Sequence, residues 1–113
     1  MPKYHNKKIS AGNDVFDSKK EYDRWVQLKL FSKAGIIKDL HRQVPFELIP
    51  AQYDASGKCI EKPCKYIADF VYQKDGKTVV EDVKGYKNGG AYSIFVIKRK
   101  LMLERYGISV KEI

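Results

Sequence analysis

The chain has 113 residues, and 22 Lys and Arg against 14 Asp and Glu give it a formal net charge of +8. This length suits one domain with a single core. The charge favours a polyanionic partner, nucleic acid first, although basic proteins without such a partner are about as common. We find no secretory signal, lipidation motif or apolar run of about 20 residues in the sequence, so we expect a cytoplasmic protein that does not bind membranes.

The first segment of the chain is polar and basic. It ends in the breaker cluster Ala11-Gly12-Asn13-Asp14. We therefore predict a flexible N-terminal arm over residues 1–14, suited to touching phosphates, and a single domain over residues 15–113.

A helix, a strand and a loop are predicted next. The helix begins at residue 17 or 18, because Ser18-Lys19-Lys20-Glu21 is a capping-box pattern ahead of an apolar run, and Gly35 follows its end. Residues 41–49 alternate apolar and polar side chains, which predicts a strand whose Pro45 places it near an edge. The polar stretch over residues 51–63 predicts a connecting loop.

A β-hairpin is predicted in the second half of the chain. Two strand-like segments, residues 66–72 and 78–84, flank Asp75-Gly76, which is a strong signal for a two-residue turn. With that turn, Lys74 pairs with Lys77. This pairing sets the register of every residue behind it.

The predicted register brings two carboxylates together. Asp69 falls opposite Asp82, and Lys84 lies on the same face two residues further on. Directly opposed like charges destabilise a sheet unless a partner compensates them. A divalent cation with oxygen ligands would be such a partner.

The neighbours of the two acids bear on this interpretation. Three apolar residues are predicted on the same face: Ile67, Val71 and Val80. Glu81 is expected to point to the other face and to pair with a basic residue there. The alternative is an exposed hairpin in which Lys84 makes a simple salt bridge worth at most about 1 kcal/mol. A one-residue slip in register would exchange the roles of Glu81 and Asp82.

The rest of the chain completes the order of elements. Residues 85–90 are rich in Gly and predict a flexible connection, and residues 93–106 predict a helix with Gly107 as its C-terminal cap. A short strand is predicted over residues 108–113. The whole order is helix, three strands, helix, strand.

Asp69, a spacer and Asp82-Val83-Lys84 resemble the PD-(D/E)xK nuclease pattern, in which an acid is followed by acid-x-Lys. The αβββαβ order, which covers nearly the whole chain after residue 15, is similar to the core of that family. Ala68 stands where many members have a proline before the first acid. The resemblance implies an α/β, restriction-endonuclease-like fold with a mixed central sheet flanked by helices. Its relatives include small phage-encoded proteins and Holliday-junction resolvases.

The resemblance also implies a reaction and roles for residues. It implies a Mg²⁺-dependent deoxyribonuclease in which Mn²⁺ can substitute. Asp69, Asp82 and the Val83 carbonyl would hold the metal, and Lys84 would position or activate the attacking water. Glu21 is a fourth candidate ligand, because several branches of the family bring an acid from the first helix to the metal. At the third helical position it is equally suited to capping the helix.

Contacts with the substrate are predicted from charge. Lys87, Lys98 and Arg99 are candidates for DNA phosphates, and a solvated helix face is the alternative for each of them. The substrate implied is linear or branched DNA, and a homodimer that cuts both strands is expected because one small chain has little surface for gripping a duplex. A non-catalytic DNA-binding or assembly module and an RNA-processing nuclease are the other candidate functions.

Overall fold

The computed structural model describes residues 8–11, 14–85 and 89–113. Its elements in chain order are β1 (Ile9–Ala11), β2 (Asp14–Phe16), α1 (Lys19–Lys33), β3 (Lys38–Ile49), β4 (Gln52–Tyr53), β5 (Cys59–Glu61), β6 (Cys64–Lys74), β7 (Lys77–Asp82), α2 (Gly89–Tyr106) and β8 (Lys111–Glu112). The main sheet has the order β3-β6-β7-β8 and is antiparallel except for the parallel pair β7 and β8. This mixed sheet with its two helices confirms the predicted α/β class and is compatible with an αβββαβ core.

The two helices pack on opposite faces of the sheet, each over its own hydrophobic core. Leu28 of α1 packs with Phe70, whereas Phe95 of α2 packs with a different set of buried residues. Val79 and Val80 are neighbours in β7, yet Val79 packs against the α1 core and Val80 belongs to the α2 core. Because successive side chains of a strand point to opposite faces, the sheet separates the two cores.

Helix α1 begins where the sequence predicts. Ser18 is its N-cap, in an extended conformation, and the Ser18 hydroxyl accepts a hydrogen bond of 3.1 Å from the Glu21 backbone N–H. This is one half of the predicted capping box. The Glu21 carboxylate makes a different contact, with an oxygen 3.3 Å from the Arg42 guanidinium. The side chain that could have closed the cap is thereby directed to the sheet.

Two short hairpins lie where the sequence predicts irregular chain. Strand β1 lies within the predicted arm and pairs in an antiparallel register with β2, which begins at the last residue of that arm. Residues 9–11 are therefore part of a ribbon, and residues 1–7 and 12–13 lie outside the described residues. Within the predicted loop, β4 pairs with β5. The turn between them is held by Asp54, whose side chain accepts hydrogen bonds from the backbone N–H groups of Ser56 and Lys58.

The predicted register of the main hairpin is confirmed. Lys74 pairs with Lys77, and the ladder continues without a shift to Phe70 and Glu81. Asp75 and Gly76 both have positive φ, at 52° and 76°, as a two-residue turn of type I′ requires. Phe70 and Glu81 form the last pair of this ladder, and Asp69 and Asp82, which adjoin that pair, lie near enough for the charge of Asp82 to act on Asp69.

Side-chain alternation breaks at one rung of β3 and β6. In β6, Ala68 packs in the α2 core and Phe70 in the α1 core, although two residues of equal parity should share a face. In β3, Leu40 packs against the α1 core and Phe46 against the α2 core, so this strand changes face as well. The rung where both changes occur includes Gln43, which has a φ of 52°. This left-handed residue is a local irregularity of the kind that re-aims side chains.

Because of this break, the predicted row of apolar residues around the acids is partly wrong. Val71 and Val80 do pack in the α2 core, but Ile67 is 47% exposed. Its predicted place is taken by Tyr66 and Ala68, which are buried there. The prediction assumed uninterrupted alternation from residue 66 onward, and the irregularity at Gln43 violates that assumption.

The C-terminal elements follow the prediction with shifted bounds. Helix α2 starts at Gly89 instead of residue 93, so its first turn occupies part of the predicted connection. Gly107 has a φ of 68°, and its N–H donates to the Leu103 carbonyl at 2.9 Å, which confirms the predicted cap. Strand β8 is limited to Lys111–Glu112 within the predicted range 108–113.

Candidate active site

Asp69 lies at the rung where the alternation breaks, between β3 and the end of β7. Its Oδ1 accepts a hydrogen bond of 3.2 Å from the Gln43 side-chain amide, and its Oδ2 accepts one of 2.8 Å from the Val83 N–H. Both donors are neutral groups. They fix the orientation of the carboxylate and supply no opposite charge to it.

Asp82 is buried and holds two partners on the α2 side of the sheet. The Tyr66 hydroxyl donates to its Oδ2 at 2.7 Å, and the Lys84 ammonium lies 2.9 Å from its Oδ1. The same ammonium lies 3.7 Å from the centroid of the Phe95 ring. A cation over an aromatic face is attracted by the ring quadrupole, so Lys84 is held between a carboxylate and a ring.

Glu21 approaches the site from α1. It is only 4% exposed, and its ion pair with Arg42 is its charged contact. Arg42 in turn donates to the Val15 carbonyl at 3.0 Å and lies 4.0 Å from the centroid of the Phe16 ring. The β1–β2 ribbon is thereby tied to the same basic side chain that neutralises Glu21.

Asp69 has a raised proton affinity, to which both neighbouring acids contribute. Burial, together with the nearby charges of Asp82 and Glu21, raises the pKa of Asp69 to about 7, although the hydrogen bond from Val83 opposes the rise. Burial also raises the pKa of Glu21, with Asp17 adding to the rise and Arg42 opposing it. Carboxylates from α1, β6 and β7 therefore share one electrostatic environment, which is typical of functional sites.

Glu81 points away from this environment, as predicted. It is fully buried on the α1 side and takes two hydrogen bonds from Arg24, at 2.7 and 2.6 Å, and one from the Tyr72 hydroxyl. Burial and the contact with Glu81 raise the pKa of Tyr72 to about 12. The structure thus distinguishes the two adjacent acids: Glu81 is part of a buried network and Asp82 faces the candidate site.

The fit of a metal ion rests on the donors that are present. Within the described ranges, no group of three or more His, Cys, Asp and Glu side chains is arranged to hold a metal. Mg²⁺, however, is usually held by one or two carboxylates, with water and substrate phosphates completing its shell. Asp69 and Asp82 match this smaller set, because a cation between them would relieve the repulsion that raises the pKa of Asp69. Glu21 is engaged by Arg42, and its role as a ligand stays a prediction.

The predicted DNA-contacting residues have different surroundings. Lys98 lines a groove of about 260 Å³ beside Asp82 and Lys84. Arg99 instead forms an ion pair of 2.9 Å with Glu112. Lys87 lies outside the described residues.

A family model described as a protein of unknown function (DUF1064) matches residues 1–111. The chain belongs to the DUF1064 family. No curated protein and no solved structure matches it. In the part of this DUF1064 protein that the structure describes, no helix is long and apolar enough to cross a membrane.

Two residues of this DUF1064 protein contact the acids of the candidate site but were not predicted from the sequence. The contact of Tyr66 was predictable from the sequence. The hydroxyl of a buried tyrosine usually has a hydrogen-bond partner, and the nearest predicted polar groups were the two acids. The contact of Gln43 with Asp69 was not predictable, because it depends on the pairing of β3 with β6 across 26 positions of the chain. Both are positioning residues for the two acids.

Proposed function

We propose that this chain is a metal-dependent endonuclease that hydrolyses phosphodiester bonds in DNA. The observation that carries the proposal is the convergence of Asp69, Asp82 and Lys84. The Asp69 carboxylate is partly desolvated, and its hydrogen-bond donors among the described residues are neutral. Two hard-oxygen ligands beside an ammonium are the groups that metal-assisted hydrolysis needs. The net charge of +8 supports a polyanionic substrate.

Each residue has a defined task in this proposal. A bound Mg²⁺ would supply an activated water and would neutralise charge on the phosphate. Asp69 and Asp82 would hold the ion together with the Val83 carbonyl, and the Val83 N–H keeps Asp69 in orientation. Lys84 presents its ammonium at Asp82, from where it can donate to the attacking water or to a phosphate oxygen. Tyr66 orients Asp82 from the other side.

The proposal is tested by cleavage of labelled linear duplex, single-stranded and four-way-junction DNA with Mg²⁺, Mn²⁺ or EDTA. We expect cutting with either metal and none with EDTA. Because these groups act on the transition state, Asp82→Asn and Lys84→Ala should each lower the cleavage rate by roughly 100-fold or more. Circular dichroism of both variants should match that of the unmodified protein.

Matched controls come from the surface of the same protein. Asp23→Asn and Lys77→Ala change an exposed acid and an exposed lysine away from the site, and both variants should cut at the unmodified rate. Unchanged cutting by Asp82→Asn would remove this site from the mechanism. DNA binding without cutting would favour the non-catalytic module, and cutting of labelled RNA but not DNA would favour the RNA-processing nuclease.

A further inference from the structure

The groove beside Asp82 and Lys84 has one side that the proposed chemistry does not use. Its polar residues include Lys98, and its apolar wall includes Ile67 of β6 and Ile94 of α2. We call it the Ile67–Ile94 groove. Ile67 is 47% exposed and Ile94 is 57% exposed. Two large apolar side chains thus stand uncovered on the edge of a charged site.

An intact duplex offers little to such a wall. Its outer surface is phosphate and sugar, which basic side chains contact, and the faces of its bases are covered by stacking. An unpaired nucleotide, in contrast, exposes an apolar base face next to a phosphate. Base faces pack on apolar and aromatic side chains, and isoleucine is among the residues that proteins insert between base steps.

We propose that the Ile67–Ile94 groove receives an unpaired nucleotide of the DNA next to the phosphate that is cut. The base packs against Ile67 and Ile94, while Lys84 and Lys98 contact its phosphates. The substrate class is therefore DNA with an unpaired nucleotide, as at a branch, bulge, flap or frayed end. Such a nucleotide needs no unpairing before it enters, whereas extruding a base from an intact duplex costs a few kcal/mol. The position of the cut rests on the proposed function, but the preference for unpaired nucleotides does not.

Charge selects DNA over a second copy of the chain as the occupant. Helix α2, which forms one wall, carries Lys98, Arg99, Lys100 and Arg105 against the single acid Glu104. Two such helices facing each other would repel. A nucleotide brings a negative charge that complements Lys84 and Lys98, and an apolar face that packs against Ile67 and Ile94.

The test is binding in EDTA, which makes the readout independent of cutting. Two fluorescent duplexes of equal sequence are compared by anisotropy, one fully paired and one with a single bulged 2-aminopurine. The unmodified protein should bind the bulged duplex about tenfold more tightly, because this is the gain in affinity expected from the packing of one base on protein side chains. The fluorescence of the 2-aminopurine should change on binding, since it reports the surroundings of the base.

Three matched substitutions decide the matter. Ile67→Ser and Ile94→Ser should reduce the preference to within about twofold while leaving the affinity for the paired duplex unchanged. Ile97→Ser is the control, because Ile97 is 58% exposed on the same helix but does not line the groove, and it should keep the full preference. All three side chains are at least 47% exposed, so the variants should fold, and thermal unfolding checks this.

Equal affinity of the unmodified protein for both duplexes would overturn the proposal. A preference that survives both Ile67→Ser and Ile94→Ser, or that Ile97→Ser removes as well, would also overturn it. A protein that never cuts DNA but shows the preference, lost in Ile67→Ser and Ile94→Ser alone, would refute the nuclease and keep this inference. A protein that cuts with Mg²⁺ but has no preference would do the reverse.

Discussion

Three neighbouring carboxylates differ in the partners that they have. Asp82 has the Lys84 ammonium at 2.9 Å, and Glu21 has the Arg42 guanidinium at 3.3 Å. Asp69 has hydrogen bonds from Gln43 and Val83, and neither donor carries a charge. Among these three acids, Asp69 is therefore the one whose charge would gain most from a bound cation.

The pKa of Asp69 predicts how stability depends on pH. In the folded protein this pKa is raised to about 7, above the ordinary value, so the fold favours the protonated acid. The stability that this preference contributes is complete below pH of about 4 and is lost as the pH rises through about 7. Asp69→Asn keeps a neutral side chain at every pH. We expect its stability relative to the unmodified protein to rise over this window by at least about 1.4 kcal/mol, the equivalent of one pKa unit.

Urea unfolding at pH 4, 5.5, 7 and 8 in EDTA measures this difference. The comparison across pH cancels any constant effect of the substitution on hydrogen bonds. Addition of Mg²⁺ at pH 8 should stabilise the unmodified protein and should have little effect on Asp69→Asn. A constant difference between the two proteins at all four pH values would show that Asp69 titrates as it does in an unfolded chain.

At the scale of elements, α1 is joined to β7 by a buried ion pair. Glu81 is completely buried, and the Arg24 side chain that neutralises it is 20% exposed. The contact raises the pKa of Arg24, chiefly through the hydrogen bonds to Glu81. This pair lies on the face opposite Asp82, so it secures the strand that carries the site without taking part in the proposed chemistry.

Removal of Arg24 should therefore lower the free energy of unfolding through the buried charge of Glu81. Arg24→Leu leaves the Glu81 carboxylate buried without its charged partner, and we expect it to destabilise the fold by about 3 kcal/mol or more. The double variant Arg24→Leu, Glu81→Leu removes the orphaned charge and should recover most of that loss. Urea unfolding measures both variants. A double variant as unstable as Arg24→Leu alone would show that packing, and not the buried charge, dominates.

The two long strands of the sheet show what sequence patterns could predict. The register of β6 and β7 was predictable because it depends on Asp75-Gly76, a signal within the hairpin itself. The exchange of faces at Gln43 and Asp69 was not predictable, because it depends on a left-handed residue in one strand and its partner in a strand far along the chain. The two acids and Lys84 were thus predicted from local spacing, whereas the contact of Gln43 and the exposure of Ile67 required the fold.

At the scale of the whole molecule, the basic residues behind the net charge of +8 are not all placed near the proposed DNA-binding site. Lys98 borders the Ile67–Ile94 groove, but Lys29 lies in a separate groove on α1, beside Trp25. Arg99 is occupied by Glu112. Position relative to the candidate site, and not the total charge, should decide which cations contact phosphate. The expected homodimer stays a prediction, since the structure describes one chain.

The salt dependence of DNA binding tests this distribution. Each phosphate contact releases counterions, so the logarithm of affinity falls linearly with the logarithm of salt concentration. Lys98→Ala should reduce the slope by about 1, and Lys29→Ala should leave it unchanged. Anisotropy titrations in EDTA over a series of KCl concentrations give the slopes. A slope for Lys98→Ala equal to that of the unmodified protein would mean that Lys98 does not contact the backbone of the DNA.

The sheet separates two layers, each made of one helix and its hydrophobic core, and β3 and β6 change from one layer to the other at Gln43 and Asp69. Glu21 moves with α1, because it belongs to that helix, whereas Lys84 rests on the Phe95 ring of α2. Asp69 lies at the boundary between the two layers, where the charges of Asp82 and Glu21 both act on it. A small shear of one helix layer against the other would therefore change the spacing of the acids without unfolding either core. A substrate seated against α2 would press on one side of that boundary, and would thereby change the spacing of the acids in the proposed site.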